Sequence, residues 1–238
     1  MPGRLCAWAP TFHHATVTEI TSVTPRMRRI ELSGAELTGY PCDGPGAHLK
    51  LLLAPPGSRE ILLPSAGPDG LRWPDGLRPL ARTYTPRRVD GWKGRLAIDF
   101  ALHDDGGPAT AWASTAQQDE QVVVSGARGS YRVGQAVPDA QWTLLIADET
   151  ASPLVASILE DAPASTRVLV IAEIACPGEE LSSRPPLTSP QPGCTALTGS
   201  GGDARRRSCP GCRPARRAGC VLGEAGGWRH ARGTAAPA

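Results

Sequence analysis

The spacing of hydrophobic residues changes once along this chain, near Gln141, and one kind of sheet cannot accommodate both sides of the change. Upstream the strands are short, alternating and separated by glycine and proline. Thr16-Val-Thr-Glu-Ile-Thr-Ser-Val23 is β-branched, Thr24-Pro25 interrupts it, and extended character resumes from Met27 to Leu32. Ala47 to Leu53 predicts another strand, closed by Ala54-Pro55-Pro56-Gly57, and Ser58 to Leu80 predicts a long loop. From Arg95 to Leu102, Leu96, Ile98, Phe100 and Leu102 alternate with Arg95, Ala97, Asp99 and Ala101, the pattern of a half-buried strand. A short helix is expected at Ala109–Ala116, and further strands at Gln121–Ser125 and Ser130–Val133. Many short strands with one helix predict a small antiparallel barrel.

Downstream of Gln141 the strands are apolar throughout. Trp142 to Ala147 is one, Asp148-Glu149-Thr150 is a polar turn, Ala151 to Asp161 is helical, and Arg167 to Ile174 is the second strand. Strand, helix, strand of this kind is a βαβ unit of a parallel sheet. After Leu181 the pattern stops: Ile, Phe, Tyr, Lys and Met are absent, while Pro, Gly, Arg, Ser and Cys crowd together. That composition offers no strand or helix periodicity and too little apolar surface to offset the entropy of ordering. The expected organisation is therefore a barrel over 14–138, a partial, incomplete parallel-sheet domain over 139–181, and a low-complexity tail over 182–238. An out-of-frame stretch in a GC-rich gene and a disordered tail would both produce such a composition.

Composition excludes several function classes. The net charge of +2 gives no field that argues for nucleic acid or an anionic membrane. No stretch has the length and apolarity of a membrane span, and the first residues lack a signal-peptide core, so a cytoplasmic protein is expected. Seven cysteines, an odd number without an export signal, argue against a disulfide framework. Cys194, Cys209, Cys212 and Cys220 contain one Cys-Pro-Gly-Cys pair but no second well-spaced pair, so no metal site is assigned. Arg205, Arg206, Arg207, Arg213, Arg216 and Arg217 lack interleaved aromatics and suit a solvated basic run better than a nucleic-acid surface.

Two motifs carry chemistry. Arg82-Thr83-Tyr84-Thr85-Pro86-Arg87 on a strand sets Arg82 and Tyr84 on one face and Thr83 and Thr85 on the other. Arginine can grip a pyrophosphate bidentately, tyrosine can stack on a planar ring, and a hydroxyl can bond the ring's edge. About twenty residues later, His103-Asp-Asp-Gly-Gly107-Pro108-Ala109-Thr110 opens a helix. A helix start preceded by glycines presents free backbone N–H groups to phosphate. Together the motifs ask for a dinucleotide with a planar ring.

RTYTPR, the strand AIDFALH running into GGPATAWA, GAHLKLLL and LLIADETASP resemble, in order and spacing, the siderophore-interacting family of ferric-siderophore reductases. The resemblance spans about Val17 to Glu180. It implies an antiparallel Greek-key FAD-binding β-barrel of ferredoxin-reductase type, followed by a nicotinamide-binding α/β domain. It further implies that Arg82, Thr83, Tyr84 and Thr85, with His103, Gly107, Pro108, Ala109 and Thr110, hold FAD. Asp148, Glu149, Thr150 and Ala151 match the family's Asp-Glu-Thr-Ala turn beside the NAD(P)H path, where Ser152-Pro153-Leu154 departs from the usual Leu-Pro-Ala. Glu224, in Gly223-Glu224-Ala225-Gly226, is the candidate for a later NAD(P)H contact. The implied activity is reduction of a ferric siderophore by NADH or NADPH through FAD, with no residue needed as catalytic acid or base. Alternatives are a general flavin reductase-like electron carrier, or a flavin- or siderophore-binding module without turnover.

Overall fold

The computed structural model describes residues 11–67, 70–76, 78–103, 106–133, 142–163 and 166–179, with the backbone of three strands at 194–199, 220–224 and 227–231. The chain begins with β1 (Phe12–Thr24) and β2 (Met27–Ser33), a hairpin turned at Pro25-Arg26. β3 (Leu49–Leu53) follows, then a small hairpin of β4 (Ser65–Gly67) and β5 (Gly70–Arg72) inside the expected long loop. β6 (Leu80–Tyr84), β7 (Pro86–Asp90), β8 (Arg95–Ala101), helix α1 (Pro108–Thr115) and β9 (Gln121–Ser125) complete the first unit.

Seven of these strands form one sheet in the order β6-β3-β9-β1-β2-β8-β7, antiparallel at every step. β6 and β7 occupy its opposite edges, yet only Thr85 separates them in sequence. In a flat sheet those edges would lie roughly 29 Å apart, while one residue spans at most about 3.6 Å. The sheet must therefore curl until its edges meet at Thr85, with residues 80–90 running from one edge onto the other. The inner face is packed with Val17, Ile30, Leu32, Leu49, Leu51, Leu96, Ile98, Phe100, Val122 and Val124, all buried. α1 adds Ala109 and Ala113 to this core, and its Trp112 donates an indole N–H to Glu120 Oε2 (2.7 Å).

The second unit begins with β10 (Thr143–Ala147), α2 (Ser152–Asp161) and β11 (Val168–Glu173), with β10 and β11 parallel and in register from Thr143↔Val168 to Ala147↔Ala172. α2 covers one face of the pair, where Ile158, Val168 and Val170 are buried and Leu145, Val155 and Leu159 pack around them. The sheet then continues through β12 (Cys194–Gly199), parallel to β11, and the antiparallel hairpin of β13 (Cys220–Glu224) and β14 (Gly227–Ala231).

Three expectations need correction. The region after Leu181 does contribute strands: CTALTG and CVLGE are too short to show a period, and pairing to a neighbouring strand supplies what local pattern does not. Ser130–Val133 is not a strand. The second face of β8 is buried as well, because Ala97 (4%) and Asp99 (3%) are covered from outside. Among the described residues β10 and β11 are covered on one face only, as a lone βαβ unit leaves them: Leu144, Ile146 and Ile171 remain exposed opposite α2. Cys176 is disulfide-bonded, whereas Cys42 is a free thiol. Among the described residues no helix is long and apolar enough to cross a membrane.

Candidate functional site

At the seam where β6 hands over to β7 the two edges of the curled sheet meet, and a cavity of about 280 Å³ opens there. Its lining comes from three places: Arg82 to Thr85 on the seam, Asp99 and Ala101 on β8 with His103 and Thr110 around the start of α1, and Thr150 and Pro153 from the second unit.

Strand pairing decides how the seam residues face. Arg82 pairs with Leu51 and Tyr84 with Leu49, so both stand on the core side, at its rim. Thr83 pairs with Lys50 on the other side, and Lys50 Nζ donates to Thr83 Oγ1 (2.5 Å). Tyr84 is half-buried with its ring tilted on Phe100 (centroids 4.5 Å apart), and Trp112 meets Phe100 edge-on at 5.6 Å. Burial pushes the Tyr84 phenol above its ordinary pKa, so it stays a neutral hydrogen-bond donor at physiological pH. Arg82 is exposed, and the one hydrogen bond its guanidinium makes among the described residues goes to the neighbouring Ala81 carbonyl (2.9 Å). An arginine held at a cavity rim without a carboxylate partner is free to take an anion.

The opposite wall depends on a glycine. A Cβ on Gly106 would lie 2.5 Å from Thr110 Cγ2 and 2.8 Å from the His103 carbonyl, so a side chain there would force the turn or Thr110 to shift. The Gly106 N–H donates to His103 O (3.0 Å), turning the chain into Gly107 and the helix-initiating Pro108. The first helical bond runs from Ala111 N–H to Gly107 O (3.0 Å), so the amides of Ala109 and Thr110 have no intrahelical acceptor.

In the second unit the Asp148 carboxylate closes its own turn. Thr150 Oγ1 donates to Asp148 Oδ1 (2.7 Å), the Ala151 N–H donates to the same oxygen (2.9 Å), and Ser152 Oγ donates to the Asp148 carbonyl (3.1 Å). The Thr150 hydroxyl, followed by backbone N–H groups, holds the Asp148 carboxyl below its ordinary pKa. Thr150 reaches the main cavity, but Glu149 lines a separate small recess with Arg26, Met27, Leu102 and Ser152.

The structure thus brings together Arg82, Thr83, Tyr84, Thr85, His103, Thr110 and Thr150. Gly107, Pro108 and Ala109 lie beside them at the helix start, and Asp148 and Ala151 form the supporting turn. Glu224 is not brought there. It ends β13, three strands from β10, and the register of β12 with β13 sets it toward the opposite end of the sheet from Ala147. Of the cysteines weighed for metal, Cys209 and Cys212 lie outside the described residues, as do Arg205–Arg207, Arg213, Arg216 and Arg217. Among the described residues no group of His, Cys, Asp and Glu could hold a metal ion.

Sequence reasoning missed Asp99, Ala101 and Pro153. Asp99 is the most consequential: its side chain is 0% exposed, and Arg29 donates to it twice, from Nε (2.7 Å) and Nη2 (2.8 Å). Alternation along β8 assigns Asp99 to the outer face but cannot tell that this face is covered. The available signal was a lone carboxylate in the middle of an otherwise apolar strand.

A curled antiparallel sheet joined to a parallel α/β sheet, with a cavity where the two meet, is the ferredoxin-reductase-like architecture. Residues 16–131 match the family model of the siderophore-interacting FAD-binding domain, and residues 140–190 match that of the siderophore-interacting protein. A siderophore utilization protein from T. fusca aligns with a TM-score of 0.65 at 31% identity, covering 83% of this chain and 72% of that one. The siderophore-interacting protein SipS from Aeromonas hydrophila aligns with a TM-score of 0.63 at 30% identity, covering 81% and 68%. This chain belongs to the siderophore-interacting protein family. Among curated relatives, the NADPH-dependent ferric-chelate reductase of Escherichia coli is 36% identical over 149 residues, 63% of this chain and 56% of that protein. The ferric vibriobactin reductase ViuB of Vibrio cholerae is 31% identical over 152 residues, 64% and 55%. The chain therefore spans little more than half the length of those two relatives.

Proposed function

We propose that this protein is an FAD-dependent reductase that takes a hydride from NAD(P)H and passes electrons to the iron of a ferric siderophore. The observation that supports it most is the convergence on one cavity of the seam residues Arg82–Thr85, the α1 start at His103 and Thr110, and Thr150 of the second unit. The residues present suit a flavin dinucleotide. Among the described residues Arg82 is a cation without a carboxylate partner, the amides of Ala109 and Thr110 lack intrahelical acceptors, and Gly106 leaves room for Thr110, which lines the cavity.

In this reading Arg82 and the first-turn amides of α1 bind the pyrophosphate, Tyr84 offers its ring face to the flavin, and the Thr83 and Thr85 hydroxyls bond polar edges. When bound, FAD supplies the conversion between two-electron and one-electron transfer. Asp148 orders the turn so that Thr150 and Ala151 lie beside the path of the nicotinamide nucleotide. NADPH is the favoured donor because the Escherichia coli relative is named for it. Hard oxygen donors hold Fe(III) better than Fe(II), so reduction alone loosens the substrate's iron and no side chain has to transfer a proton. The division proposed is 14–138 for flavin and 139–181 for nicotinamide, so a chain cut after Glu180 is expected to keep its FAD.

The test begins with the visible spectrum of the purified protein. Cofactor released by heat and separated chromatographically is expected to be FAD, and FMN alone would refute the pyrophosphate assignment. Anaerobic NADPH is expected to bleach the flavin, and a ferric siderophore to restore its colour faster than free flavin does. Preference for free flavin would favour a general flavin reductase instead. Arg82→Ala is expected to weaken FAD binding by about 1.5–3 kcal/mol, roughly 10- to 150-fold, as loss of a hydrogen bond to a charged group does. Unchanged occupancy would remove Arg82 from the site.

A further inference from the structure

Most of the polar contacts between the two units are carried on one side of α2, and Glu179 adds another by accepting from the Thr24 hydroxyl and the Arg26 N–H. The Gly46 N–H donates to Ser157 Oγ (3.2 Å), Arg87 donates to both oxygens of Glu160 (2.5 and 2.6 Å), and Arg132 Nη1 donates to Asp161 (2.6 and 2.8 Å). The apolar residues of α2, among them Val155, Ile158 and Leu159, pack mainly on its own sheet, although Val133 of the first unit joins their cluster and Leu154 lies beside Gly46.

These ion pairs are unequal. Arg132 and Asp161 have side chains 51% and 35% exposed, so water and salt screen them and their contribution is small. Arg87 is only 6% exposed and belongs to a chain of four charges: Arg29, Asp99, Arg87 and Glu160. Asp99 accepts both bonds from Arg29 and has Arg87 Nε at 3.7 Å, while Arg87 spends its terminal nitrogens on Glu160. The charges sum to zero and each sits on a different element: β2, β8, β7 and α2. A buried ionic array is weak evidence for stability, since apolar replacements often do as well, and its best-attested use is to set register.

The register at stake is that of the cavity. Asp99 lines it at one end of this array, and Pro153, at the other end of α2 from Glu160, lines it from the second unit. Pro153 and Glu160 are seven residues apart, nearly two whole turns, so they share a side of the helix about 10 Å apart. α2 is thus a short rod clamped near its C-terminus whose N-terminus, with Thr150 just before it, forms a cavity wall.

We propose that the Asp99–Arg87–Glu160 array registers α2 against the curled sheet, making Arg87 and Glu160 positioning residues for hydride entry from the nicotinamide side. The inference rests on the reductase assignment above, in which Thr150 and its turn stand beside the nicotinamide path. It separates the half-reactions. Flavin binding uses the seam and α1 and does not need the clamp. Hydride transfer needs near-contact geometry, where about 1 Å of misplacement can cost 100-fold.

The test compares Glu160→Gln, nearly isosteric, with Asp161→Asn, its neighbour in the exposed pair, in the full-length flavoprotein. Three quantities are measured: flavin reduction by NADPH, reoxidation of dithionite-reduced protein by a ferric chelate, and hydrogen exchange of α2 and the 148–151 turn. Glu160→Gln is expected to slow reduction roughly 10- to 100-fold and to speed exchange in the turn. Flavin content should hold, and reoxidation should stay within about 2-fold. Asp161→Asn is expected to leave all three within about 2-fold. The proposal is overturned if Glu160→Gln loses flavin, slows both half-reactions alike, or matches Asp161→Asn. If wild-type protein is not reduced by NADPH, the donor assignment fails, and hydrogen exchange alone decides the clamp: unchanged protection in Glu160→Gln would refute it.

Discussion

In the curled sheet Leu49, Leu51, Ile98 and Phe100 are each at most 1% exposed, whereas in the parallel sheet Ile146 is 72% exposed and its cross-strand partner Ile171 is 37% exposed. Both regions are built from apolar strands, and the difference lies in what closes over them. The curled sheet covers itself: segment 80–90 joins its two edges, and α1 adds Ala109 and Ala113 to the core. Among the described residues the parallel sheet is covered by α2 on one face only, and α2 in turn meets the first unit through ions, hydrogen bonds and the buried side chain of Val133. The first region has a buried core of its own and supplies most of the cavity lining. The second contributes one wall, held against the first largely by polar contacts.

The sharpest way to break this comparison is to open the self-contained core. Phe100→Ala removes the ring on which Tyr84 and Trp112 both pack, and should cost about 3–5 kcal/mol in urea-induced unfolding. Flavin should be lost with the fold. A cost near 1 kcal/mol would mean that the curled sheet is not the stable partner.

A smaller effect is expected at the turn that leads into α2. Asp148→Ala removes the acceptor for Thr150 Oγ1 and Ala151 N–H and should destabilise the second unit by about 1 kcal/mol, the usual net value of a lost hydrogen bond. The Asp148 carboxyl is held below its ordinary value in the fold, so its contribution is complete above the ordinary carboxylate pKa and is lost as pH falls through the lowered one. Thermal melts of wild type and variant should accordingly differ at pH 7 and converge under strong acid. A difference that grows on acidification would contradict the assignment.

The smallest effect is expected on the uncovered face. Ile146→Thr should change stability by no more than about 0.5 kcal/mol, as an exposed substitution does, and should raise solubility by removing apolar surface. A loss of about 2 kcal/mol or more in the chemical melt would show that this face is covered after all, and the contrast between the two regions would shrink.

Local pattern determined a good deal of this protein. Alternation at Thr16–Val23 and Arg95–Leu102, the breaks at Pro25 and Gly106-Gly107-Pro108, and the continuous apolar strands at Trp142 and Arg167 each reflect backbone preference and burial that neighbours in sequence impose. They marked most elements, the change of sheet type near Gln141, and the two motifs that line the cavity. What they could not supply depends on strands far apart in sequence. Arg29 meets Asp99, 70 residues later, and Arg87 meets Glu160, 73 residues later, because β2, β8, β7 and α2 happen to stack there. The pleat assigned Asp99 to the outer face, and the side chains of Arg29 and Arg87 brought against it made that position an interior. β12 and β13 likewise have too few apolar positions to show a period, and the placement of Glu224 away from Ala147 follows from the order in which strands joined the sheet. A side chain's face is set by its neighbours along the strand, but whether that face meets water, an ion or a ligand is set by what the rest of the chain brings against it.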